Sequence, residues 1–570
     1  MKNFKETANF IWSIADLLRG DYKQSDYGKV ILPLTVLRRL DCVLETSKEK
    51  VLKTASTLTI ENVDPILNKA AGYKFHNRSK YDFDKLVADP NNLAVNLRTY
   101  INGFSEDARE IIDQFEFDNQ ITKLDDGNLL FMVIKRFQEL DLHHDAVSSM
   151  EMGYMFEELI RKFAELSNET AGEHFTPREV IKLMVNILFL HDRDILTKKG
   201  IVKTIYDCCA GTGGMLSVAE EYLNELNPDA RLEVFGQELN PESYAICKSD
   251  MMIKGQNASN IKKGNSISED KLANMQFDYL ITNPPFGVKW DKIYKTVKDE
   301  HDELGHGGRF GAGLPAKSDG SFLFILSLVA KMKQDKKGSR LAIVFNGSPL
   351  FSGSPSKNKN ESSIRQWIME NDLLESVIAL PNQLFYNTGI STYIWVLNNR
   401  KKTERKGKVQ LINAVSYFKK MSKSLGNKRN MLSDDHIKEI TEIYGSFEAG
   451  KYCKIFDNTD FGYHKVTVER PLYKNGEKVT DKKGNPKADS KLRDTENIPL
   501  SEDIDAYMER EVLPHVPDAF LDESKTLTGY EINFTKYFYE YKPLRPLDKI
   551  KEDILALEAE THDGIKNVLA

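Results

Sequence analysis

The sequence predicts an α/β protein whose centre is a mostly parallel, doubly wound sheet, with an α-helical domain before it and a helical tail after it. Three observations lead there. In residues 1–165 apolar side chains recur at helical spacing and alternating strand patterns are scarce. After Gly172 short β-branched runs alternate with helical stretches, the pattern of repeated β–α–β units. Finally, Ile550, Ile554, Leu555, Leu557, Ile565 and Leu569 mark one long C-terminal helix over Leu547–Leu569.

The elements follow in order. Ile11, Ile14, Ala15, Leu17 and Leu18 share a helical face, as do Leu34, Leu37 and Leu40. Asp126-Gly127 precedes a further apolar-periodic stretch from Leu129 to Phe137, and Met152–Phe163 reads as an amphipathic helix. Strands are expected at Ile201–Tyr206, Leu232–Gly236, Tyr279–Thr282, Leu341–Phe345, Leu374–Leu380 and Thr392–Leu397, with helices at 213–226, 241–255, 320–333 and 360–371 between them. The resulting division is an α-helical domain over 1–165, a sheet domain over 166–470 and a C-terminal region over 471–570. Residues 301–320 are glycine-rich and read as a loop, and residues 474–494 as a polar, solvated excursion. Residues 400–430 carry eleven basic side chains against one acid, Glu404, which suits either a solvated face or a phosphate-contacting one. The apolar stripe of the last helix could pack on its own domain or on a partner helix.

Composition excludes several classes. At 570 residues, with 41% hydrophobic and 29% charged, the chain is globular and long enough for three or four domains at roughly 100–200 residues each. The longest apolar run, Phe322–Val329, is far shorter than the roughly 20 residues of a membrane-spanning helix. The N-terminus has no cationic segment followed by an apolar core, so no secretory signal is read there. Five cysteines without CxxC spacing argue against a disulfide framework or a zinc site, and no metal is expected. A cytoplasmic location follows. With 79 basic and 85 acidic residues the net charge is −6, so any grip on nucleic acid must be local or shared with a partner.

Two constellations carry chemistry. Tyr206-Asp-Cys-Cys-Ala-Gly-Thr-Gly-Gly-Met215 follows a predicted strand and opens a predicted helix, and its glycines let the backbone turn sharply and approach a ligand. The next strand ends at Gln237-Glu238, where an acid can accept bonds from both hydroxyls of a ribose. Together they indicate a nucleoside ligand, the alternative being a tight turn without one. The stretch lacks the Lys-Ser/Thr of a P-loop and the GxGxxG spacing of dinucleotide folds. The second constellation is Asp278-Tyr-Leu-Ile-Thr-Asn-Pro-Pro-Phe-Gly287, a strand that delivers Asn283-Pro284-Pro285-Phe286 at its carboxyl end. An amide oxygen on Asn283, a fixed carbonyl on Pro284 and the ring of Phe286 suit a planar base bearing an exocyclic amine.

These motifs resemble those of amino-group methyltransferases that use S-adenosylmethionine. Their order narrows the likeness: Gly172-Glu-His-Phe-Thr-Pro-Arg178 precedes the glycine turn, and Phe345–Phe351 and Leu380–Ile390 follow the Asn-Pro-Pro-Phe corner. The arrangement resembles the DNA adenine-N6 methylases that form the modification (M) subunit of type I restriction-modification systems, over most of the chain. The resemblance implies a Rossmann-like core that binds S-adenosylmethionine. Glu173, His174, Phe175, Thr176, Pro177 and Arg178 would line the cofactor site with Thr212, Gly213, Gly214 and Glu238, while Asp207 and Gly211 lie near by and Asn265 sits by the cofactor's adenine. Asn283, Pro284 and Phe286 would hold the target adenine. Cys208-Cys209 departs from the Pro-Ala common in relatives, and packing roles are expected for both.

Implied partners are double-stranded DNA, a specificity (S) subunit, a second M subunit and, as an optional member, a restriction (R) subunit. No base-reading motif is visible, so the target sequence is left to the specificity subunit, and the C-terminal helix would be a docking element. The glycine-rich 301–320 segment would order on DNA or stay a mobile loop. Competing readings are another methylase of the same motif class, acting on cytosine N4 or on protein glutamine, and a non-enzymatic scaffold that binds cofactor or DNA.

Overall fold

The computed structural model describes residues 2–58, 63–167, 176–386, 388–475, 477–481, 484–541 and 544–569. Helices fill the first 167 residues, from Lys2–Ile14 through Gly28–Leu44, Leu93–Asn102 and Leu130–Gln138 to Ser149–Ser167. Their apolar faces meet in one core, with Leu37, Leu40, Leu97, Leu124, Ile134 and Phe137 buried. That core extends into Ala245, Ile246 and Met252 of helix Pro241–Ile253, so the helical region packs directly on the sheet domain.

The sheet is built from β1 (Val202–Asp207), β2 (Arg231–Glu238), β3 (Ile261–Lys263), β4 (Tyr279–Thr282), β5 (Arg340–Asn346), β6 (Leu374–Ala379), β7 (Thr392–Asn398) and β8 (Lys408–Asn413). Strand Cys453–Asp457 closes one edge, and the order from there is Cys453–Asp457, β8, β6, β7, β5, β4, β1, β2, β3. Pairing is parallel between β3, β2, β1, β4 and β5 and between β6 and β8. Strand β7 runs antiparallel to both β5 and β6, a reversal that the sequence pattern did not reveal. β4 and β6 are buried at every position, which is why they read as unbroken apolar runs. Helices Gly214–Leu226, Pro241–Ile253, Ser321–Ala330 and Glu361–Glu370 cover the faces, close to their predicted ranges.

Strand direction decides where function can sit. The chain leaves β1 for β2 and β3 on one side and for β4 and β5 on the other, so β1 and β4 flank the switch point of the sheet. Open α/β sheets bind ligands in the crevice above the carboxyl ends at that point.

Three stretches differ from their sequence reading. Residues 301–304 end the helix Tyr294–Leu304, and the glycine-rich remainder is held rather than loose. Arg309 pairs with Glu300 at 2.6 Å and donates to the Ile267 carbonyl at 2.8 Å, while Glu361 accepts from the Ala316 N–H at 2.7 Å. Of the basic residues in 400–430, Lys401, Arg405 and Lys428 are internal, paired with Asp372, Glu375 and Glu179. The region after 461 holds more than an excursion and a helix. Gly462–Glu469 pairs antiparallel with Asp494–Pro499, Phe520–Leu521 and Leu527–Tyr530 around Val466, Val468, Ile498, Met508 and Val512. The buried Arg365 ties this sheet to the main one through the carbonyls of Tyr530, Pro349 and Ser352. Residues 1–532 form one compact unit. In the second, 533–570, the helix Leu547–Leu569 exposes Leu547, Ile554, Leu555 and Leu557.

Candidate active site

Asp207 ends β1 and Thr282 ends β4, and these last residues touch: the Thr282 hydroxyl donates to Asp207 Oδ1 at 2.7 Å. The Cys209 N–H donates to the same oxygen at 2.9 Å, which fixes the start of the glycine turn. Through this one bond the turn and the Asn-Pro-Pro-Phe corner, 75 residues apart in sequence, are placed side by side at the switch point.

The turn itself is shaped by its glycines. Gly213 has a φ of +85°, and a Cβ there would lie 2.8 Å from Cys247 Sγ, so any side chain meets both backbone strain and a clash. Gly211 has a φ of +53° and nothing within 4 Å of a Cβ position, which leaves open space above the turn. Its N–H donates to Glu238 Oε2 at 2.8 Å, and the Asn240 N–H donates to Glu238 Oε1 at 2.7 Å. Each carboxylate oxygen of Glu238 thus keeps capacity for a further donor such as a ribose hydroxyl.

Burial pushes the Asp207 carboxyl up to about 7, against the Thr282 and Cys209 bonds that favour its charged form; the charge on Glu238 adds to the rise. Burial likewise raises Glu238, opposed by its backbone N–H donors. No basic side chain among the described residues offsets either acid. Two under-compensated carboxyls beside an open glycine turn suit a cationic nucleoside, and S-adenosylmethionine is one.

The remaining predicted residues fall as follows. Glu173, His174 and Phe175 lie outside the described residues. Thr176, Pro177 and Thr212 are buried, and the Pro177 carbonyl accepts from Val180 and Ile181 at the start of helix Arg178–Leu190. Arg178 is committed to protein acceptors, donating Nη1 to the Gly214 carbonyl and Nη2 to Glu157 Oε1, both at 2.8 Å. Asn265 sits past the end of β3, beside β2, and its Oδ1 accepts from the Ile267 and Ser268 N–H groups. Pro284 is buried, and Asn283 and Phe286 are half-buried. The Phe286 ring meets Phe385 edge to face, with centroids 6.5 Å apart, which brings the Leu380–Ile390 motif to the corner. Cys208 is buried against Thr282, and the Cys209 thiol is pushed far up by its contact with Cys208 and by burial, so Cys209 does not suit thiolate chemistry.

Sequence reasoning missed Thr282, Glu157 and Arg309. Thr282 carried a signal, being the last residue of the predicted strand. Glu157 and Arg309 carried none, because Arg178 and the Ile267 carbonyl that they meet lie 21 and 42 residues away.

Comparison with known proteins gives concordant matches. A family model described as N-6 DNA methylase matches residues 148–482, and one described as HsdM N-terminal domain matches 7–137. The MjaIX type I restriction enzyme methylase subunit of Methanocaldococcus jannaschii is 27% identical, with 83% of each chain covered. The EcoKI methylase subunit of Escherichia coli is 23% identical over 60% of this chain and 63% of that one. Among solved structures, the type I restriction-modification methyltransferase subunit from Streptococcus thermophilus aligns with a TM-score of 0.63 and 25% identity, covering 80% of this chain and 97% of that one.

Proposed function

The chain belongs to the N-6 DNA methylase family, as a methylase subunit of type I restriction-modification systems, and on that premise we propose that its chemistry occurs where the Asp207 and Thr282 strand ends meet. It transfers the methyl group of S-adenosylmethionine to adenine N6 in DNA, at a sequence chosen by a separate specificity subunit. The observation that supports the site assignment is the Thr282–Asp207 bond, which sets the glycine turn and the Asn-Pro-Pro-Phe corner side by side.

S-adenosylmethionine, when bound, supplies an electrophilic sulfonium methyl. Asp207, Glu238 and the open side of Gly211 would hold it, with Thr212, Gly213 and Gly214 shaping the turn and Asn265 at its flank. The adenine amine is a poor nucleophile, because its lone pair is delocalised into the ring. Asn283 Oδ1 and the Pro284 carbonyl accept its two N–H bonds, and these bonds strengthen as positive charge develops on the nitrogen. Neither acceptor is basic enough to take the proton, which leaves to solvent. Holding amine and methyl in line supplies much of the remaining acceleration. The base must leave the duplex stack, at a cost of a few kcal/mol, and stacking on Phe286 offsets part of that.

The two family models meet between residues 137 and 148, which suits a helical part ahead of the methylase part. The exposed apolar residues of Leu547–Leu569 suit a docking helix for the specificity subunit or a second M subunit. No described helix is long and apolar enough to cross a membrane, and work on cellular DNA fits the cytoplasm. The test is a radiolabelled-methyl assay on the complex with the specificity subunit. Incorporation into adenine N6 that Asn283→Ala removes supports the reading; incorporation elsewhere, or full activity in the variant, rejects it.

A further inference from the structure

The basic run of 400–430 divides between the two ends of the sheet. Asn398 pairs with Arg340, the first residue of β5, so Arg400–Lys408 lies at the end of the sheet away from the catalytic crevice. β8 then runs parallel to β6 and ends at Asn413 beside Ala379, on the crevice side. Only the part after 413 therefore reaches the end of the sheet where Asp207 and Thr282 meet.

There the chain forms a hairpin, Lys419–Leu425 against Lys428–Met431, outside the main sheet. A lone two-stranded ribbon is marginal in water, and this one is fastened to the segment that carries Phe385. The Asn427 N–H donates to Tyr386 O at 2.8 Å, the Arg429 N–H to Gln383 O at 2.9 Å, and Asn430 Nδ2 to Asn382 O at 2.9 Å. Lys428 points inward to the Leu384 carbonyl and to Glu179. Phe385 in turn touches Phe286 of the catalytic corner. Lys419, Lys420, Lys423 and Arg429 are exposed, and none is ion-paired among the described residues. No acid occurs between Arg405 and Ser433, so nothing on the ribbon neutralises these four charges. Exposed Phe418 and Met431 lie on the same ribbon.

Resting on the function proposed above, the geometry points to the 415–431 hairpin as a clamp on DNA phosphates beside the everted adenine. Four unneutralised cations on a ribbon anchored to the site's own wall suit a polyanion. The contacts carry no base information; they set where the duplex lies relative to Asn283.

The test uses the assembled complex with the specificity subunit. One variant combines Lys419→Gln, Lys420→Gln, Lys423→Gln and Arg429→Gln. The control combines Lys402→Gln, Lys406→Gln and Lys408→Gln at the far end of the sheet. DNA affinity is measured against salt, with S-adenosylmethionine affinity and thermal stability checking the fold. Each lost phosphate contact lowers the slope of log affinity on log salt by about 0.9, so the hairpin variant should lose up to about 3.6 units of slope and bind at least tenfold more weakly. Cofactor affinity should stay unchanged, KM for DNA should rise more than kcat falls, and the control should match wild type. An unchanged slope in the hairpin variant overturns the clamp. Loss of the specificity subunit on purification also overturns it, assigning the ribbon to a subunit interface. A wild-type complex that binds cofactor but methylates no adenine overturns the function and leaves the slope comparison to decide the clamp by itself.

Discussion

Arg178 and Glu157 form a buried ion pair, Nη2 to Oε1 at 2.8 Å, that joins the helix Ser149–Ser167 to the helix Arg178–Leu190. The other arm of the same guanidinium holds the Gly214 carbonyl at 2.8 Å, and the ring of Tyr154 lies 5.0 Å from its centre. Burial pushes the Glu157 carboxyl up while Arg178 holds it down, so removing the cation exposes the full cost of a buried charge. Arg178 thus links the helical domain to the glycine turn.

Removing one partner should therefore be expensive. Arg178→Leu or Glu157→Leu alone should destabilise the protein by about 3–5 kcal/mol. The double variant should recover most of that, because no charge is left unpaired. Cofactor affinity should stay low in the double variant, since Gly214 has still lost its donor. Thermal denaturation and calorimetry separate the two effects, and a double variant that binds normally would limit Arg178 to a stabilising role.

Asn283→Ala should abolish methyl transfer, lowering kcat by about a thousandfold or more in line with loss of a charge-stabilising contact. Binding of S-adenosylmethionine should change less than about twofold, because the Asp207–Glu238 side of the crevice is untouched. Single-turnover assays with calorimetry check both numbers.

Glu238→Ala should weaken cofactor binding first and turnover second. It removes the proposed ribose acceptor and releases the Gly211 and Asn240 N–H groups that the carboxylate now satisfies. Loss of at least about tenfold in affinity is expected. Unchanged affinity in both Glu238→Ala and Asp207→Ala would remove the pocket.

Asp207 predicts a pH dependence with two signs. Burial pushes its carboxyl up to about 7 in the folded protein, from about 3.8 for a solvated aspartate in the unfolded chain, so between those values the folded state holds the extra proton. Its contribution to stability is present at low pH and is lost as pH rises from about 4 through 7. A cationic cofactor prefers the ionised acid, so its affinity should rise up to about tenfold from pH 6 to pH 8. Asp207→Asn should flatten both profiles. Thermal shift and calorimetry across pH 5–8 measure them, and a wild-type profile identical to the variant's would reject the burial argument.

Deleting residues 546–570 should leave the unit 1–532 folded and cofactor-competent while abolishing assembly. A truncated chain that still co-purifies with the specificity subunit would rule out the docking role of the exposed stripe of Leu547, Ile554 and Leu557.

The sequence alone determined the local structure: the helical first domain, six strands within a residue or two, the Leu547–Leu569 helix and the two motifs that mark the family. Such features depend on neighbours within a few residues, through periodicity, turn glycines and fully buried strands, so a single chain displays them. Tertiary structure decided what depends on remote partners. The antiparallel β7, the three-residue β3 and the small sheet around Val466 have no periodic signature of their own length. The turn in which the Asn265 carboxamide oxygen accepts from Ile267 and Ser268 carries no signal in the sequence. Residues 400–430 looked like one basic face, yet three of its cations are internal and the remainder divide between opposite ends of the sheet. Charge sums along a chain, but electrostatic work depends on distance through space, and strand direction sets that distance.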